Sequence, residues 1–132
     1  MGKFIFLVIA LSIAIMFTSC EKDKNTNHIS LLKKSWTHSY EENTSEIYDV
    51  YRPSDYKDFP ASWFRQVFYF KDNSVCDYLV LAPNDAHYME KGNWEYDEKP
   101  NNIKVMNMKY DILYELEIIE LRDDLLKIKN LR

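Results

Sequence analysis

The chain has 132 residues, with 21 acidic against 17 basic side chains for a net charge of −4, and 15% of it is aromatic. That length leaves no room for two ordinary domains, the apolar and aromatic content excludes a disordered chain, and the acidic balance excludes a nucleic-acid footprint. Ten tyrosines and, beyond residue 19, a single glycine favour strands over helices and exclude functions built on glycine-rich loops.

Met1 to Lys3 form a short positive segment, and Phe4 to Phe17 are apolar apart from Ser12. That run has the length of a signal-peptide core and falls short of the roughly 20 residues that span a bilayer. No later stretch is as long, so no transmembrane helix is expected in the remainder. The run ends in Phe17-Thr18-Ser19-Cys20, which resembles a bacterial lipobox. The resemblance implies cleavage after Ser19 and a diacylglyceryl thioether on Cys20, hence a soluble domain tied to a membrane through lipid. The expected division is 1–19 signal peptide, 20–28 lipidated Cys20 and flexible tether, and 29–132 folded domain. Glu21 to Asn27 are polar and lack apolar periodicity, as a tether requires. The expected location is the envelope of a Gram-negative cell, at the outer membrane rather than the inner.

Asn27 before His28-Ile29-Ser30-Leu31-Leu32 reads as a cap on one or two helical turns, with Ile29 and Leu32 facing inward. Strands are then expected near Ser35–Tyr40, Glu46–Arg52, Arg65–Phe70, Val75–Leu81, Gly92–Asp97, Ile103–Met108, Ile112–Leu121 and Leu125–Leu131. Alternation puts Phe68 with Phe70 on one face, Gly92 with Trp94 and Tyr96, and Tyr114 with Leu116 and Ile118. Ile118-Ile119 breaks the period and predicts a bulge. Asp72-Asn73, Pro100-Asn101-Asn102 and Asp123-Asp124 mark turns, because Asn and Asp tolerate left-handed backbone where glycine is lacking. Two longer connections remain, Pro53 to Phe64 and Ala82 to Lys91. Eight antiparallel strands with short links predict an all-β fold, a small up-and-down barrel whose closure removes exposed edges.

Several short motifs resemble the lipocalin-like domains of bacterial cell-envelope lipoproteins. They are Leu31-Leu32-Lys33-Lys34-Ser35-Trp36, Phe68 to Ser74, Gly92-Asn93-Trp94-Glu95-Tyr96, and Leu121 to Ile128, within a likeness that spans residues 29–131. The resemblance implies a barrel and names no ligand.

No catalytic constellation emerges, and the protein is expected not to be an enzyme. His28, His38 and His87 are far apart and fit no metal-ligand spacing, so neither metal nor cofactor is expected. Cys76 is the only thiol besides Cys20 and reads as a small buried hydrophobe. Glu115 and Glu117 alternate against Tyr114, Leu116 and Ile118, as a solvated outer face requires. One segment is unusual: Tyr51 to Phe64 interleaves aromatics with Arg52, Asp55, Lys57 and Asp58. Its rings either plug one end of the barrel through Phe59, Trp63 and Phe64, or present a binding surface. As a surface, the candidate residues are Tyr51, Tyr56, Phe59 and Trp63, with Tyr88 from the second connection. The expected partners are the membrane, through lipid on Cys20, and a small apolar or amphipathic ligand. The alternative is a solid barrel that binds a glycan or envelope protein through its aromatic loop.

Overall fold

The computed structural model describes residues 21–132; the segment read as a signal peptide and the lipidation site Cys20 lie outside them. One helix, α1 (Glu21–Leu32), leads into β1 (Ser35–His38), β2 (Asp49–Pro53), β3 (Val67–Phe70), β4 (Val75–Leu81), β5 (His87–Asp97), β6 (Asn102–Asn107), β7 (Ile112–Arg122) and β8 (Leu125–Asn130). Every strand pairs antiparallel with both neighbours, and the sheet closes on itself. The chain is an eight-stranded all-β barrel behind a short helix.

Most strand ends fall within three residues of expectation, and two boundaries differ by more. The helix begins at Glu21 rather than Asn27, so helical backbone covers the polar segment expected as a tether; Glu and Lys propagate a helix well without any apolar stripe. The connection expected over Ala82 to Lys91 shrinks to a turn closed by the Ala82 amide donating to the Ala86 carbonyl at 2.8 Å. β5 starts already at His87.

The interior is filled by the residues that alternation sends inward. Trp36, Phe68, Phe70, Cys76, Ile103, Val105, Leu116, Leu126 and Ile128 are almost wholly buried. Their rings touch in series, Tyr51 to Phe68 at 5.7 Å, Phe68 to Phe70 at 5.9 Å and Phe70 to Trp94 at 4.9 Å between centroids. Gly92 permits the close approach of β6. A Cβ there would lie 2.1 Å from the Met106 carbonyl oxygen and 2.9 Å from Tyr78 Cε1, so no larger residue fits. Asn73, Ser74, Asp85, Asn101 and Tyr110 take positive φ at the turns, two of them, Asn73 and Asn101, among the residues expected to replace glycine. The β7–β8 register shifts between Ile118 and Glu120, at the predicted break.

Around the barrel the order is β1-β2-β8-β7-β6-β5-β4-β3. Strands β3 to β8 form a simple meander. The β1–β2 hairpin is turned over, so β1 pairs with β3 while β2 closes the barrel against β8. β2 and β3 both run antiparallel to β1 and therefore point the same way. The connection between them must travel the length of the barrel, and it does so outside β1. Ser54 Oγ shares hydrogen bonds with Ser35 Oγ at 2.7 Å and Thr37 Oγ1 at 2.8 Å, and Lys57 Nζ donates to Ser39 Oγ at 2.8 Å. Arg65 Nη2 then donates to the Pro60 carbonyl at 2.8 Å. The outward side of β1, Ser35-Thr37-Ser39, is thus a hydroxyl stripe that the strap covers, which is why Thr37 and Ser39 are buried although they face away from the core.

Candidate ligand site at the open mouth

The two ends of the barrel are built differently. One end receives α1. Leu32 is fully buried, and Trp36 Nε1 donates to its carbonyl at 3.0 Å. Trp94 Nε1 donates to the Lys71 carbonyl at 2.9 Å, and the Tyr96 hydroxyl donates to Asn101 Oδ1 at 2.8 Å while lying 3.0 Å from His28 Nδ1. Helix and hairpin satisfy the polar edges of the rings there, so this end is shut.

Among the described residues the opposite end has no such cover. Tyr78 and Val80 of β4, Glu90 of β5, Asn107 of β6, and Leu113 and Tyr114 of β7 line a pocket of about 430 Å³. Its position follows from register. Tyr78 pairs with Glu90 and Val80 with Tyr88, so these side chains share the inward face at the ends of their strands. The β6–β7 register slip between Val105 and Met106 lets both Leu113 and Tyr114 reach the pocket. The Tyr114 hydroxyl donates to Gln66 Oε1 at 3.3 Å. Burial, and then the Glu90 carboxylate, push the Tyr78 phenol up to about 12, so it stays neutral and can donate at physiological pH. Burial raises Tyr114 as well.

Beside the pocket, the His38 ring stacks on Tyr51 at 4.9 Å between centroids and lies 3.4 Å from Asp49 Oδ1. Burial lowers the His38 pKa against the opposing pull of Asp49, so the ring is held toward its neutral form. Asn43 ties this corner together, donating to Asp49 Oδ1 at 3.1 Å and accepting from the Val50 amide at 2.8 Å. Glu42 anchors the strap: it accepts from Arg52 Nη2 at 2.8 Å, Arg52 Nε at 3.0 Å and Ser39 Oγ at 2.7 Å. Those bonds, the Arg52 pair foremost, hold its carboxyl down at about 2.

The residues singled out by the aromatic pattern scatter. Tyr51 is 4% exposed and belongs to the interior, so it is no part of a surface. Tyr56 is half exposed at the far, α1 end of the strap, under the Arg52 guanidinium at 4.6 Å. Phe59 lies half-buried between Lys57 and Arg65. Trp63 is 69% exposed, and Phe64 meets His87 edge-on at 5.5 Å. None of the three plugs the barrel; α1 does that, and the strap stays outside. Tyr88 is exposed on the rim, next to Val80. None of the six pocket residues was among the sequence candidates, and Glu90, Asn107 and Leu113 were the least legible of them. They sit where strands run out into solvent and alternation loses its contrast.

A second recess, of about 710 Å³, lies outside the closed end between Lys33, Lys34, Tyr56, Tyr69 and Asp123. It is crossed by the Lys34–Asp123 pair at 2.8 Å. Cys76 is fully buried, and burial pushes its thiol up to about 12, far from a reactive thiolate. Among the described residues no three His, Cys, Asp or Glu side chains gather as a metal site, and no helix is long and apolar enough to cross a membrane. Glu115 and Glu117 stand opposite Lys104 and Lys129 on the outer face. No protein-family model, curated protein or solved structure matches the chain.

Proposed function

We propose that this chain is a lipid-anchored lipoprotein of the bacterial cell envelope, a non-catalytic lipocalin-like barrel that binds part of a small amphipathic molecule in its open mouth. The observation that carries the reading is the asymmetry of the barrel: one end shut by α1, the other open over a pocket of about 430 Å³ with two phenols, two aliphatic side chains, an amide and a carboxylate. Such a mixture of apolar walls and few polar groups is the usual chemistry of a ligand site. The filled interior below Tyr51 and Phe68 limits what enters to a ring or chain end. Attachment through Cys20 fits this arrangement, since α1 follows Cys20 directly and runs into the closed end. The mouth then faces away from the membrane.

A second reading is favoured by the rim. Ile47, Trp63, Tyr88, Met89, Met108, Tyr110 and Leu131 are large, exposed and all at the mouth end. Exposed apolar side chains concentrated at one end mark a docking surface for a glycan or an envelope protein.

Native mass spectrometry of the chain purified from its own membranes tests the first reading. The expected spectrum carries a covalent lipid increment that Cys20→Ala removes and a non-covalent small amphiphile that Leu113→Trp, which fills the pocket, removes. A spectrum with no small molecule, and a co-purifying protein or glycan lost in Trp63→Ala instead, sinks the first reading in favour of the second.

A further inference from the structure

The mouth pocket carries one formal charge, and it is negative. Of its lining, Tyr78, Val80, Asn107, Leu113 and Tyr114 are uncharged, leaving Glu90. Glu90 enters none of the ion pairs of the described residues. Two cations near the mouth are paired, Arg65 with Glu41 at 2.8 Å and Lys57 with Glu42 at 3.4 Å, while Lys109, exposed in the loop between β6 and β7, enters none of those ion pairs and lies outside the pocket lining. The neighbouring loops add Glu46, Asp85 and Asp111 against Lys109, a balance that is still negative. A recess with apolar walls and charge of one sign focuses its field on the ligand. The Tyr114 ring, only partly buried, adds to it, because the π cloud of a phenol attracts a cation and repels an anion.

Resting on the mouth as the ligand site, we infer that it selects amphiphiles with a cationic head, an amine or quaternary ammonium. The charge lies at Glu90 against the Tyr114 ring, and the apolar part runs along Val80 and Leu113. An anionic head is repelled by the same groups, and a neutral one gains only the apolar contact.

The full chain in nanodiscs of zwitterionic lipid is titrated with hexyltrimethylammonium, hexanesulfonate and hexyl glucoside, against empty nanodiscs as blank. Hexyltrimethylammonium is expected to bind about tenfold tighter than the glucoside, with the sulfonate weakest. Glu90→Gln should lower the ammonium affinity to that of the glucoside, and Glu90→Lys should reverse the order of ammonium and sulfonate. Both variants sit at an exposed position, and an unshifted melting temperature confirms that they fold. Equal affinity for all three probes in the wild type overturns the charge selection while leaving the mouth as the site. Binding of none of them overturns the site as well. A tenfold preference that survives Glu90→Gln overturns the role of Glu90.

Discussion

The two ends of this barrel use the same kinds of side chain to opposite ends. Tryptophan and tyrosine at the closed end are buried with their polar atoms bonded, as in Trp36 to Leu32, Trp94 to Lys71 and Tyr96 to Asn101. At the mouth, Trp63, Tyr88 and Tyr110 point into solvent, and the partly buried Tyr114 borders an open pocket. An aromatic ring with its edge satisfied and its faces covered holds the fold together; one with a free face is available to a ligand. The contrast places stability at one end and recognition at the other.

Substitutions at the two ends should therefore differ in kind. Trp94→Ala removes a buried ring from the closed end and is expected to cost ~3–5 kcal/mol, enough to unfold a marginal domain, as chemical denaturation would register. Wild-type stability in that variant would break the comparison. Glu42→Gln tests the strap that runs between the ends. Because the folded carboxyl titrates at about 2, below its ordinary value of 4.5, its contribution is present above pH ~4.5 and is lost as the pH falls toward 2. The wild type should lose stability through that window, and Glu42→Gln should lose it at neutral pH and flatten the acid limb. Thermal melts at pH 7, 4 and 3 read both. Trp63→Ala at the mouth is expected to change stability by no more than ~0.5 kcal/mol; a larger loss would mean that the rim is structural after all.

Much of the closed end was legible in the residue pattern, because burial there is one-sided and alternation follows it. Phe68 with Phe70, Trp94 with Gly92, and Leu116 with Ile118 all face inward as the period requires, and the bulge falls at the break in it. The mouth was less legible for the same physical reason. Over His87 to Lys91 both faces of β5 meet solvent, the period vanishes, and a strand reads as a loop. The strap was hidden for another reason: local patterning fixes which face of a strand is buried, not which strand lies beside it. A trace existed in Ser35-Thr37-Ser39, small hydroxyls on an outward face where a solvated strand more often carries long charged side chains. With β2 and β3 parallel, the aromatics and cations of residues 54–65 become a packed crossing of the barrel wall.

That crossing has a consequence for the order in which the molecule can be assembled. Because the first hairpin is turned over, the bond that shuts the cylinder joins Asp49, Val50 and Tyr51 to Leu126, Lys127 and Ile128. Everything from β1 to β7 can pair with neighbours close in sequence while the open edge of β2 waits, and no shorter stretch of chain can close it. The entropic cost of so long a loop falls on the final step. A chain emerging in the N-to-C direction thus stays an open, curling sheet, with backbone amides and carbonyls of β2 unpaired, until β8 arrives.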